Sequence, residues 1–214
     1  MADLKILYDA ILHGDAKTAA AVTQEAIAEK IDPGLLISDT MIPAMDEVGR
    51  LHECGEYFVP DLLLSGRAMK AALDLLRPLL AESGAEPAGR VVIGTVKGDL
   101  HDIGKNLVAS MLEGGGFEVT DLGVDVSAEK FIAAVQEKRP HVVCLSALLT
   151  VSMPAMKTII DSMKEAGVRD CVKVLVGGAP VTPEYARKIG ADGYGENASV
   201  AVSIARQVCA SPSA

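Results

Sequence analysis

Asp99, His101 and Gly104 spell D-x-H-x-x-G inside the stretch Gly94 to Asn106, residue types and a spacing suited to holding a metal through one imidazole. A neutral histidine can ligate through one ring nitrogen while the other donates its proton to a carboxylate, which fixes the tautomer and tunes the basicity of the ligand. Asp99 stands two residues ahead of His101 and is the carboxylate at hand. Gly104 has no side chain, so a bulky planar group can approach the backbone where a helix begins.

One histidine and one aspartate are too few for a zinc site built by the protein alone. A metal at His101 would therefore bring most of its own coordination sphere, as the cobalt of a corrin ring does.

These residues need a strand, a loop and a helix to position them, and the sequence supplies all three. An apolar run from Val91 to Val96 breaks at Gly98 and resumes as an amphipathic segment ending at Gly114. Further apolar runs follow at Phe117 to Leu122, Val142 to Leu145 and Val172 to Val176, and a shorter fifth strand is expected around Asp192 to Tyr194 before a last helix from Asn197 to Cys209. Continuous apolar runs alternating with helical segments predict parallel strands buried on both faces. Right-handed crossovers then give a flavodoxin/Rossmann-like, doubly wound, five-stranded α/β sheet, in which ligands sit at the carboxyl ends of the strands. Asp99 and His101 follow the first strand, Ser146, Leu148 and Thr150 end the third, and Gly177 and Gly178 end the fourth. They are expected on one edge.

The first third of the chain has helical spacing. Leu4, Leu7 and Ile11 form a first stripe, Asp15 caps a second helix, and Asp32-Pro33 opens a third that carries Ile37, Met41, Met45 and Val48. Pro43 lies inside this third helix and should bend it. A fourth opens at Pro60 and runs through Leu62, Met69, Leu73 and Leu76, which makes a small four-helix bundle. Glu82 to Gly89, rich in Ser, Gly, Ala and Pro, reads as the linker between domains at 1–84 and 90–214.

Half of the 214 residues are hydrophobic, only 3% are aromatic and Trp is absent, so the cores must be aliphatic. A net charge of -9 argues against a nucleic-acid partner, because binding phosphates takes basic patches. Four cysteines, Cys54, Cys144, Cys171 and Cys209, show no C-x-x-C pair and read as reduced thiols. No apolar run is long enough for a membrane span and the first residues do not resemble a signal peptide, so a cytoplasmic protein is expected.

The sequence resembles the cobalamin-binding proteins of the methionine synthase type. It is most similar to the small corrinoid proteins of methyl-transfer systems that use methylamines, methanol, betaines or aryl methyl ethers, over nearly the whole chain. The resemblance implies cobalamin or a related corrinoid as cofactor, its benzimidazole displaced and His101 as the lower axial ligand of cobalt. Asp99 and Gly104 then belong with His101 to the lower face, and Gly98, Asp102 and Ile103 are further cofactor-binding candidates. Ser146, Leu148, Thr150, Gly177, Gly178 and Ala198 line the slot for the nucleotide tail. Ser146 would extend the chain from His101 through Asp99.

The same resemblance makes the helical bundle a cap over the methyl-bearing face, with its edge at Gly49 to Pro60. His52 stands where methionine synthase has a bulky apolar residue, which leaves Phe58 and Val59 as the natural covers. The implied role is a methyl carrier cycling between cob(I)alamin, Co(I), and methylcobalamin, methyl-Co(III). A substrate:corrinoid methyltransferase would load it, a methylcorrinoid:acceptor methyltransferase would unload it to tetrahydrofolate or a thiol, and a reductive activating protein would rescue it. Lacking a zinc-binding cysteine pair and a barrel-sized segment, the chain is expected to be non-catalytic alone. The alternatives are the cobalamin-binding subunit of a mutase, a cobalamin-dependent sensor, and a flavodoxin-like or receiver domain without a corrinoid.

Overall fold

A computed structural model of the chain describes residues 2–83 and 87–210. Two compact units are present, Met1–Pro87 with Ser110–Gly116, and Ala88–Ala109 with Phe117–Ala214. Residues 84–86 of the expected linker lie outside the described residues.

The first unit is helical. Asp3 caps α1 (Leu4–Leu12) and Asp15 caps α2 (Ala16–Ala28), each carboxylate accepting a backbone N–H that the first turn leaves without a partner. Asp32 does the same for α3 (Pro33–Leu36), where Pro33 occupies a position whose N–H would be idle in any case. A π-helical turn (Ile37–Met41) then leads directly into α4 (Ile42–Glu53), all in right-handed helical backbone. Pro43 has no N–H, and the turn before it opens so that the N–H of Ile42 reaches back five residues to the Ile37 carbonyl. The bend expected at the proline is thus taken up as a wide turn one step earlier.

The last helix of this unit, α5 (Val59–Ser83), packs on α1, α2 and α4 and buries Leu62, Met69 and Leu76; Leu7, Ile11, Leu36, Met41 and Val48 are buried in the same unit. Tyr57 and Ser65 both donate hydroxyl hydrogen bonds to the Leu12 carbonyl, at 3.2 and 3.0 Å, and so satisfy the C-terminal end of α1.

The second unit contains β1 (Arg90–Thr95), α6 (Ile103–Gly114), β2 (Glu118–Asp121), α7 (Ala128–Lys138), β3 (Val142–Ser146), α8 (Pro154–Glu165), β4 (Lys173–Gly177), α9 (Pro183–Ile189), β5 (Gly193–Gly195) and α10 (Ala198–Ala210). The five strands are parallel in the order β2-β1-β3-β4-β5, the flavodoxin-like arrangement. The observed strands match the expected ones to within a residue or two at each end, but burial on both faces holds only for the central β1, β3 and β4; β2 and β5, at the edges, are partly open.

Alternation along the strands sends two different sets of side chains to the two faces. Val92, Val96, Val143, Leu145, Val174 and Val176 pack with Phe131, Met156, Ile159 and Ile160 in one continuous core. The intervening residues face the other way. In register across four strands, Ile93, Cys144, Leu175 and Gly193 make one row, and Thr95, Ser146, Gly177 and Gly195 make the next row toward the carboxyl edge. Helix α10 covers part of this second face, since a Cβ on Gly193 would meet Ile204 at 3.1 Å and one on Gly195 would meet Ala201 at 3.1 Å. Among the described residues no helix is long and apolar enough to cross a membrane.

Candidate functional site

Strand β1 delivers the chain to the carboxyl edge, where the loop 96–102 carries the D-x-H-x-x-G residues. Gly98 turns the backbone with φ +83°, and its N–H donates to Asp125 Oδ1 at 2.8 Å. Asp125, itself in the left-handed region at φ +52°, returns its N–H to the Asp99 carbonyl at 3.0 Å. Thr95 at the end of β1 donates its hydroxyl to the His101 carbonyl at 2.8 Å. The loop is thereby tied at three points.

Asp99 is wholly buried, and the loop after β3 surrounds it with donors. Leu148 N–H, Leu149 N–H and the Ser152 hydroxyl reach Oδ2 at 2.8, 3.2 and 2.7 Å, while His101 N–H and His101 Nδ1 reach Oδ1 at 3.1 and 2.7 Å. Burial pushes the carboxyl pKa up. The bonds from Ser152, from both donors of His101 and from Leu148 outweigh it, and hold Asp99 well below the usual carboxylate range. An ionised carboxylate only accepts hydrogen bonds. The proton shared with His101 therefore belongs to Nδ1, and the lone pair of the neutral ring is on Nε2. The His101 side chain is about half exposed, 49%, so this nitrogen belongs to an accessible ring.

Ser152 is the hydroxyl on Asp99, where the sequence reading placed Ser146. The two differ because Ser146 is still in β3, with its carbonyl accepting Val96 N–H, whereas the following turn brings Ser152 back over the carboxylate. Thr150, in that turn, is exposed, and Asp102, also exposed, accepts from Asn106 at the start of α6. Leu148 contributes through its backbone N–H, and its side chain is exposed. The two loops that meet at Asp99 both expose apolar side chains, Leu100 and Ile103 beside His101 in the chain at 72% and 71%, and Val151 at 81% with Leu149 in the loop after β3. Sequence reasoning named only Ile103 and Leu148 of this apolar collar. A Cβ built on Gly98 or Gly104 would meet nothing within 4 Å, so both glycines border open space.

Gly178 and Gly177 prove to be demanded by the backbone itself. Gly178 has φ +125°, and a Cβ there would fall 1.9 Å from the Ala147 carbonyl oxygen; a Cβ on Gly177 would lie 3.0 Å from the Gly195 oxygen. Ala198 is buried as the first residue of α10. Lys105, which the sequence reading passed over, is buried in the first turn of α6 and is paired with Asp121, whose other oxygen accepts Gly123 N–H at 2.8 Å.

In the helical unit, His52 Nδ1–H donates to the Tyr57 carbonyl at 3.1 Å and closes the turn between α4 and α5. Phe58 and Val59 beyond it are exposed.

Among the described residues no group of three or more His, Cys, Asp and Glu is placed to hold a metal ion. A metal on His101 must come with its other ligands. The accessible ring, the apolar collar and the open glycines fit a broad, flat, metal-centred ligand, and the fold together with this site define a corrinoid-binding protein. The comparisons agree. A B12 binding domain matches residues 89–203 and a second B12 binding domain matches residues 4–77. The chain belongs to this B12-binding family, and its cofactor is cobalamin or a related corrinoid.

Trimethylamine corrinoid protein 1 of Methanosarcina acetivorans is 45% identical over 202 residues, 94% of each chain. A corrinoid protein of Desulfitobacterium hafniense is 40% identical over 211 residues, 97% of this chain and 98% of that one. Among solved structures, a cobalamin-binding protein from Desulfitobacterium hafniense superimposes with a TM-score of 0.79 at 35% identity, covering 97% of this chain and 99% of that one. The methanol:cobalamin methyltransferase complex MtaBC of Methanosarcina barkeri gives 0.84 at 34% identity, covering 97% and 79%. The chain is thus a corrinoid protein of the methyltransferase-associated kind.

Proposed function

We propose that the chain is the methyl carrier of a multi-protein methyltransferase system, loaded by a donor-specific methyltransferase and unloaded by a second one acting on tetrahydrofolate or a thiol. The corrinoid, when bound, supplies a cobalt centre that is a nucleophile toward methyl groups in its lowest oxidation state and gives the methyl up to an acceptor. His101 would hold the cobalt through Nε2. Asp99 keeps the proton on Nδ1 and orients the ring, and Ser152 with the amides of Leu148 and Leu149 keeps Asp99 ionised. Were the ring to carry a second proton on Nε2, its Nδ1–H would still lie 2.7 Å from the buried Asp99 carboxylate, which would stabilise the charge. Ile103 and the two open glycines, Gly98 and Gly104, would receive the corrin. The edge that carries Ser146, Leu148 and Gly177 would receive its tail.

The observation that carries this reading is the 2.7 Å bond between His101 Nδ1 and a buried Asp99 that can only accept it. The relatives named for methylamines and methanol support methyltransferases as partners. A reductive activating protein, to restore oxidised cobalt, completes the proposed set. In the Co(II) form of the loaded protein, electron paramagnetic resonance should show nitrogen coupling that changes when histidine carries nitrogen-15 and that His101→Ala abolishes. Coupling indifferent to both would remove His101 as ligand. The purified chain should hold methylcobalamin without turnover until a donor-specific methyltransferase is added; repeated turnover by the chain alone would refute the carrier role.

A further inference from the structure

Lys105 follows Gly104 in the first turn of α6 and is only 3% exposed, although Gly104 before it and Asn106 after it are open to solvent. Its ammonium donates to Asn106 Oδ1 at 2.7 Å and to Asp121 Oδ2 at the end of β2. The bonds continue from there. Asp121 Oδ1 accepts Gly123 N–H at 2.8 Å, the Gly123 carbonyl accepts Thr95 N–H at 3.0 Å, and the Thr95 hydroxyl donates to the His101 carbonyl at 2.8 Å. Four bonds thus lead from Lys105 back to His101, and the chain from His101 to Lys105 closes the ring. Ile103 and Gly104, both exposed, lie on that closing segment.

Burying an ammonium is expensive, and a buried ion pair adds little stability over apolar side chains of the same volume. What the pair supplies is direction. Strand β2 is at the edge of the sheet, four residues long and only partly buried, so apolar packing constrains its end weakly. Thr95 holds one end of the segment 101–105, and the Lys105–Asp121 pair holds the other. A ligating side chain is placed only as well as the backbone that carries it. Resting on the corrinoid reading, we propose that Lys105 is a positioning residue for His101: paired with Asp121, it clamps the far side of Gly104 and so gives the imidazole one fixed approach to the metal. It does this through the backbone and touches neither the metal nor the ring.

The test uses the full-length chain loaded with cobalamin, or with cobinamide, which has the same corrin and cobalt but no nucleotide. In the Co(II) form, electron paramagnetic resonance gives the ratio of protein with histidine nitrogen coupling to protein without it. Lys105→Met should lower that ratio about tenfold, and equally for both corrinoids. Asp121→Asn, at a site partly open to solvent, should act in the same direction, and it carries the comparison if Lys105→Met does not fold. The double variant should be no worse than the more affected single one. In the cofactor-free chain, Lys105→Met should speed amide hydrogen exchange at Thr95 and Gly123, whose bonds belong to the ring. Arg169→Met is the control: it removes an ion pair with Asp192 beside β5, at the opposite edge of the sheet, and should leave the coupling unchanged. Coupling equal to wild type in both single variants, a loss confined to cobalamin, losses that add in the double variant, or an equal loss in Arg169→Met would overturn the proposal and leave the corrinoid reading standing. Failure of wild type to bind either corrinoid would remove both.

Discussion

The two faces of the five-stranded sheet are made from alternate residues of the same strands, yet they are finished differently. On one, Val92, Val143, Leu145 and Val174 join Phe131, Met156 and Ile160 in a continuous core, close enough at Gly94 that the Phe131 ring lies 2.8 Å from where a Cβ would be. On the other, apolar bulk gives way toward the carboxyl edge to Thr95, Ser146, Gly177 and Gly195. The first face holds the fold together. The second ends at its carboxyl edge in small side chains, the composition that the proposed seat for the cofactor's tail needs.

The largest effect should come from adding bulk to the filled face. Gly94→Val would drive two methyl groups into Phe131 and should cost about 3 kcal/mol or more, read from urea unfolding. Ser146→Val adds similar bulk to the open row. It should change stability by less than about 1 kcal/mol while reducing cobalamin affinity far more than cobinamide affinity. A loss of stability equal to that of Gly94→Val would show that both faces are closed.

Asp99→Asn comes next, at about 2 kcal/mol, because charge-assisted bonds from Ser152 and His101 become neutral ones and an amide N–H₂ must face other donors. Since the folded-state pKa of Asp99 is depressed, its contribution is complete above the ordinary carboxylate range, near pH 4, and is lost as pH falls from there toward the depressed value. Acid titration of stability should therefore be steeper in wild type than in Asp99→Asn; parallel curves would contradict the assigned ionisation. The smallest effect concerns Cys144, on the second face one row below the open edge, where burial pushes the thiol up to about 12. Iodoacetamide at neutral pH should label the exposed Cys54 and Cys171 and spare Cys144 in the folded protein, as mass spectrometry would report.

How far the sequence disclosed this arrangement depends on the distance over which each interaction acts. Asp99 and His101 are two residues apart, and their bond was legible because local spacing alone allows it. The sheet order followed from apolar runs and crossover handedness, both properties of neighbouring segments. Ser152 was not legible, since it meets Asp99 across 53 residues of chain and only the pairing of β1 with β3 brings the two loops together. Its signal was indirect: a buried carboxylate needs donors, and the loop after the adjacent strand is where they must come from. The same holds for Lys105 with Asp121. Gly177 and Gly178 were legible as special and not for the steric reason, which lies in the carbonyls of Gly195 and Ala147 on neighbouring strands.

The wide turn at Ile37–Met41 sets the accounting of chain length in the helical unit. A π turn spends one more residue per revolution than its surroundings, so the apolar positions before and after it, Leu36 and Met41, keep the same azimuth although they are five apart. One residue between them is spent on neither core nor cap. Deleting it would return the rod to ordinary pitch without rotating Met45 and Val48 out of the core. Inserting a second would swing that whole stripe by about 100° toward solvent. Length variation in this helix is therefore lopsided: the chain can be one residue shorter here, and cannot be one longer.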